Sequence, residues 1–194
     1  MNLVTIADHT FDEALLPEKP YVLDVGCRGT VFIEGLAECR PLVRYYGIDP
    51  DETISHGHAV ALVGSGEVER QYARFSTGEG NHLGSGYGIP DCSPIAVPCV
   101  SLQALMKLWR VPIWDLVKLD CEGSEFDILE HWPGPVATQI SVEFHDALNP
   151  GRWNDEYFAW LFSQLRDYEV VRHERTQQGG AWGHWDSLLV RRRV

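Results

Sequence analysis

The sequence predicts an α/β domain built on a parallel sheet, and three stretches carry that prediction. Residues 21–25 form a compact apolar run that enters Gly26-Cys27-Arg28-Gly29; a helical pattern follows, then residues 43–48, which stop at Asp49-Pro50. Strand, glycine turn, helix, strand, acid is a βαβ unit, which implies parallel strands and a right-handed crossover. The second stretch is Leu116-Val117-Lys118-Leu119-Asp120, a short buried strand that turns at Gly123 into a helix with Phe126, Leu129 and Trp132 on one face. The third, residues 139–144, is another buried strand and ends in His145. Open α/β sheets place their ligands at the carboxyl ends of such strands.

The whole chain sets the limits. At 194 residues it is long enough to bury a sizeable core, and the simplest reading is one domain over residues 1–194. Composition, 44% hydrophobic and 23% charged, gives no sign of disorder. A formal net charge of −12 argues against nucleic acid as the main partner, because phosphate binding needs a basic footprint. Arg191-Arg192-Arg193 reads as a solvated basic tail. The five cysteines are odd in number and form no Cys-x-x-Cys pair, which suggests buried thiols in a reducing compartment. With neither a basic N-terminal region nor a long apolar run, the expectation is a cytoplasmic protein without signal peptide or membrane span.

Taken in order, residues 1–19 read as a short, mostly helical lead-in closed by Pro17 and Pro20. After the first strand, Val31, Ile33, Leu36 and Ala37 suggest a helix ending near Pro41. Residues 59–63 and 68–75 read as strands, with Gly64-Ser65-Gly66 as the turn of a hairpin between them. Residues 76–95, rich in Gly, Ser and Asn, are too poor in apolar residues for a core element; such a loop is either functional or disordered, and a substrate loop is the expectation. Residues 97–100 are briefly extended, and Ser101 caps a helix containing Leu102, Leu105, Met106 and Trp109. Past His145, Asn154 caps a helix with Phe158, Leu161, Phe162 and Leu165 on one stripe. Residues 168–173 and 187–191 are the last strands, joined through the aromatic turn Trp182-Gly183-His184-Trp185. His56, His58, His82 and His184 read as solvated loop histidines.

The strand ends carry the chemistry. A glycine turn lets a ligand approach the backbone and leaves amides at a helix start, which favours anionic groups. Asp49, one βα unit later, is placed to accept hydrogen bonds from two ribose hydroxyls. Together they point to an adenosine-containing cofactor, and both NAD(P) and S-adenosylmethionine fit. Gly26-Cys27-Arg28-Gly29-Thr30 lacks the Gly-x-Gly-x-x-Gly of dinucleotide binding, which opposes the alternative of an NAD(P)-dependent oxidoreductase.

Val22-Leu23-Asp24-Val25-Gly26-Cys27 instead resembles the first motif of class I S-adenosylmethionine-dependent methyltransferases. It is followed by Gly47-Ile48-Asp49-Pro50, Val100-Ser101-Leu102-Gln103-Ala104-Leu105, the stretch from Asp115 to Glu125, and Ile140-Ser141-Val142-Glu143-Phe144-His145. The series is similar to the FkbM-type methyltransferase family over about residues 21–145, most specifically in Lys118-x-Asp120-x-Glu122-Gly123-x-Glu125. The resemblance implies a Rossmann-like class I methyltransferase fold, with a mostly parallel seven-stranded sheet and an antiparallel last strand. It implies S-adenosylmethionine as cofactor, bound by Asp24, Gly26, Cys27, Arg28, Gly29, Asp49, Pro50 and Asp120, with Asp24 toward the cofactor's amino end. It further implies methylation of a hydroxyl on a sugar or natural-product-like small molecule. Three departures stand out: Arg28 where the family tends to have Asn, Gly29 one position early, and Asp49 where Glu is frequent.

Methyl transfer to an alcohol requires its oxygen in line with the methyl–sulfur bond, and the hydroxyl proton must leave. Lys118 and Asp120 share one face of their strand, and Glu143 and His145 share one face of theirs. Neighbouring strands would bring these four catalytic candidates together. His145 suits the base best and Asp120 is second, while Lys118 is expected to be a buried partner of Glu143 or Asp120. Asp120, Glu122, Glu143 and His145 have the ligand character of a Mg or Mn site, but no spacing demands a metal and none is assigned. The remaining alternative is a cofactor- or partner-binding module that keeps the fold without turnover; the oligomeric state is left open.

Overall fold

The computed structural model describes residues 1–49, 57, 59–60, 62–63, 69–75, 81–83, 92–121, 124–145, 154–176 and 184–192. Pro50, His56, His58, Glu122, Gly123, Trp182 and Gly183 lie outside them, as do residues 76–80 and 84–91 of the expected substrate loop.

The chain opens with a β-hairpin where residues 1–19 suggested a helical lead-in. β1 (Leu3–Ile6) pairs antiparallel with β2 (His9–Asp12). Ala7 and Asp8 between them have φ of 47° and 64°, the positive pair that a two-residue hairpin turn requires. Val4 and Ile6 are half-buried and alternate with exposed Leu3 and Thr5, a period of two and not of 3.6. One 3-10 turn follows at Glu13–Leu15, where the Ala14 N–H donates to the Asp12 carboxylate.

β3 (Tyr21–Val25), α1 (Val31–Cys39) and β4 (Arg44–Asp49) form the expected βαβ unit, β3 and β4 running parallel. β5 (Ala59–Val60) adds a parallel edge to β4. The middle of the chain departs from the expected hairpin. β6 (Leu62–Val63), β7 (Glu69–Phe75), β8 (Asn81–Leu83) and β9 (Cys92–Val100) make a second sheet in the order β6-β9-β7-β8. β7 pairs with β9 from Glu69↔Pro98 to Phe75↔Cys92, a ladder far longer than the two-residue β6 could offer. The segment 76–95 therefore contains strand β8 and the start of β9.

The second half alternates helices and strands: α2 (Leu102–Trp109), β10 (Leu116–Leu119), α3 (Glu125–Glu130), β11 (Gln139–His145), α4 (Asp155–Gln164), β12 (Tyr168–Thr176) and β13 (His184–Arg191). Both expected caps form: the Ala104 N–H donates to Ser101 Oγ at 3.3 Å and the Tyr157 N–H to Asn154 Oδ1 at 2.8 Å. The central sheet has seven strands in the order β12-β13-β11-β10-β3-β4-β5. β10 runs parallel to β3 and β11, whereas β13 is antiparallel to β11 and β12. Strand order reverses between β3 and β10, so their carboxyl ends flank the switch point of the sheet.

Alternation along β10 divides the core. Val117 and Leu119 join Leu23, Ile140, Val142, Phe144, Phe126 and Phe158 on one face. Leu116 joins Phe11, Val22, Phe32 and Leu36 on the other, beneath the hairpin and α1. The buried Gln139 amide sews the hairpin to β11, accepting from the Asp12 N–H at 2.8 Å and donating to the Asp12 carbonyl at 3.1 Å. Lys118, Ser141 and Glu143 share that hairpin face, which is why charged side chains meet there.

Candidate active site

Gly26 sits where the ends of β3 and β10 come closest. Its φ is +81°, and a Cβ would lie 1.6 Å from the Asp120 carbonyl oxygen. The Asp120 N–H donates to the Val25 carbonyl at 3.0 Å, and the Gly26 N–H to the Ile48 carbonyl at 2.9 Å. Only glycine fits, because both the backbone conformation and the space exclude a side chain. Arg28 and Gly29 are exposed on the turn beyond it. Cys27, expected among the cofactor contacts, is buried under the turn, and a Cβ on Gly47 would lie 2.8 Å from its sulfur. Burial, with the charges of Asp24 and Asp49, pushes its thiol up to about 12. Asp49 ends β4 as a buried carboxylate.

Asp24, expected toward the cofactor's amino end, is held within the sheet. It is 0% exposed, ion-paired to Lys118 Nζ at 2.8 Å, and accepts from the Tyr45 hydroxyl at 2.8 Å. Its carboxylate is engaged inside the sheet, opposite Lys118 in register. Lys118 also reaches Asp120 Oδ2 at 3.2 Å and donates to the Gly26 carbonyl at 3.2 Å. Burial alone would lower the lysine pKa, but Asp120 and Asp24 outweigh it and hold the ammonium charged. The same pairing, helped by His9, holds Asp120 below the usual carboxylate range although it is partly buried. Of the two expected partners of Lys118, the contacts above include Asp120 and not Glu143. Lys118 is thus a clamp that fixes two carboxylates and the glycine turn.

The structure brings Asp120, Glu143 and His145 together. His145 Nε2 lies 3.7 Å from Asp120 Oδ1 and 3.6 Å from Glu143 Oε1. Its Nδ1 is 3.0 Å from Glu125 Oε1, which also accepts from the Cys121 N–H at 2.8 Å. Glu125 is 0% exposed, so it makes both contacts inside the protein. A carboxylate on Nδ1 fixes the proton there and leaves the Nε2 lone pair toward the cluster. The Asp120 side chain is 30% exposed, so the cluster opens to solvent. Burial pushes Glu143 up to about 8; the charge of Asp120 adds to the effect and His145 opposes it.

Three residues escaped the sequence reading. His9, on the hairpin, places Nε2 3.5 Å from Asp120 Oδ2 and 3.9 Å from Glu143 Oε2. Burial lowers its pKa, with Lys118 reinforcing and Asp120 opposing the shift. His184, expected in solvent, is buried in β13 directly opposite His145, and its Nδ1 is 3.5 Å from Glu143 Oε1. Asp186 is buried opposite Glu143. The available signal was the polar alternation Gln139, Ser141, Glu143, His145, which requires a polar cover over that face of β11.

Comparison with models of known families gives no match, and comparison with curated proteins gives none either. Solved structures share the fold. The fibrillarin/Nop5p complex superposes with a TM-score of 0.50 at 11% identity, over 91% of this chain and 74% of that one. TrmK of M. capricolum, bound to the cofactor product S-adenosylhomocysteine, gives 0.47 at 12%, over 92% and 65%. Magnesium protoporphyrin IX methyltransferase (ChlM) from Synechocystis PCC 6803, with bound S-adenosylmethionine, gives 0.43 at 14%, over 93% and 73%. At such identities the likeness is one of fold. With the strand order and antiparallel last strand, it makes this the Rossmann-like class I methyltransferase fold.

Proposed function

We propose that the protein is an S-adenosylmethionine-dependent methyltransferase of the FkbM type, acting on a hydroxyl of a sugar or natural-product-like small molecule. The observation that carries this is the convergence at the switch point: the Gly26 turn abuts Asp120, and His145 Nε2 faces Asp120 and Glu143 at 3.7 and 3.6 Å. Here the turn at Gly26 to Gly29 and the Asp49-Pro50 strand end receive the cofactor, while Asp24 acts indirectly by fixing Lys118. When bound, S-adenosylmethionine would supply an electrophilic methyl whose S–CH3 bond would break as an O–CH3 bond to the acceptor formed, and His145 Nε2 would take the hydroxyl proton. The products are a methyl ether and S-adenosylhomocysteine. A net charge of −12 favours a small acceptor over nucleic acid.

Calorimetric titration with S-adenosylmethionine, S-adenosylhomocysteine and NADH tests the reading. Saturable binding of the two sulfur nucleotides and none of NADH is expected. Binding of NADH alone, or of none of the three, overturns it. The engagement of Asp24 by Lys118 and Tyr45 favours a second reading, a module that binds cofactor or a partner without turnover. That reading predicts cofactor binding but no methyl transfer to any hydroxylated acceptor.

A further inference from the structure

We propose that His9, Asp120 and Glu143 form a divalent-cation site, with the hairpin supplying an imidazole and the ends of β10 and β11 one carboxylate each. The three donors lie within 4.8 Å of one another. His9 is 1% exposed, and its Nε2 has no hydrogen-bond partner among the described residues. A buried ring nitrogen left that way costs free energy unless something meets it. It is aimed at two carboxylate oxygens, 3.5 and 3.9 Å away. Those separations are long for hydrogen bonds. Ligands at about 2.0–2.2 Å from a metal stand roughly 3–3.6 Å apart, so the 3.5 Å separation suits atoms sharing one ion and the 3.9 Å one has to close by a few tenths of an ångström.

Two further features fit. The other nitrogen of the ring, Nδ1, meets Ser141 Oγ at 3.4 Å, the kind of outer contact that orients metal-binding imidazoles. The surroundings are also short of positive charge. Lys118 is ion-paired with Asp24 and Asp120, yet Glu143 faces Asp186 directly across β11 and β13. Lys118, 3.2 Å from the same Asp120 oxygen, opposes the ion and limits its affinity. One imidazole with two carboxylates suits Mn or Zn better than Ca. Glu143, His184 and Asp186 are the neighbouring alternative, but there the two ring nitrogens of His184 address different carboxylates, Nδ1 Glu143 and Nε2 Asp186.

The site itself stands on this geometry; its use, holding an acceptor oxygen beside Asp120, rests on the methyltransferase reading. The probe is Mn2+, titrated into the metal-stripped full chain without cofactor and followed by electron paramagnetic resonance. Saturable binding is expected, with coupling to one imidazole nitrogen. His9→Gln should weaken it by more than the roughly 10–100-fold typical of losing an outer-shell partner. Glu143→Gln should do the same and serves if His9→Gln fails to fold. No saturable Mn2+ binding overturns the proposal, and so does undiminished binding in folded His9→Gln. Mn2+ binding without S-adenosylmethionine binding would sink the functional reading and leave the site standing. The converse would sink the site alone.

Discussion

His145 is gripped by one carboxylate and faces two others, and each contact has a separate consequence. Glu125 fixes the ring through Nδ1, so on the proposed reading Nε2 is the atom left to take a hydroxyl proton. Removing the ring should remove proton transfer and leave the cofactor site intact. His145→Ala is expected to lower kcat about 10²–10⁴-fold, the usual worth of a general base, with the S-adenosylmethionine Kd unchanged by calorimetry. Equal kcat in the variant would take the base role from His145. Asp120, Glu143 and His145 were legible because period-two alternation decides which residues share a strand face. His9 and His184 were not, because each reaches the cluster through pairing between distant segments. The pairing of Asp24 with Lys118 was not legible either, since it depends on the register of β3 against β10.

Elements that announce themselves locally were readable. The strand at Tyr21–Val25 and the helices capped by Ser101 and Asn154 carry their own punctuation. The opening hairpin was hidden because its turn is Ala7-Asp8, without the glycine that marks such turns. The second sheet was hidden because β7 pairs with β9, beyond the nearer β6. At this scale the decisive element is the turn after β3. Gly26→Ala places a Cβ 1.6 Å from a backbone oxygen at φ +81°, and no rotamer change relieves a backbone clash. Urea unfolding should show a loss exceeding the roughly 1–2 kcal/mol of left-handed strain alone. A variant as stable as the parent would mean that β3 and β10 do not close on each other as described.

At the scale of the whole molecule, the cluster of acids and histidines lies at one end of the central sheet. Asp120, Glu143, His145, His9 and His184 cluster where the parallel strands finish, while the hairpin and α1 roof one face and α2, α3 and α4 the other. Among the described residues no helix is long and apolar enough to cross a membrane. A cavity of about 490 Å³ lies at the opposite end, lined by Asp12, Leu15, Val171, Val190 and Arg191, away from the Asp120, Glu143 and His145 cluster. These two ends give the methyltransferase reading its most direct test: amide hydrogen exchange with and without S-adenosylhomocysteine. Protection at Gly26 to Thr30, at the end of β4 and at Asp120-Cys121 is the expected result. Protection confined to the cavity near Leu15 and Arg191, or no protection anywhere at saturating ligand, would contradict it.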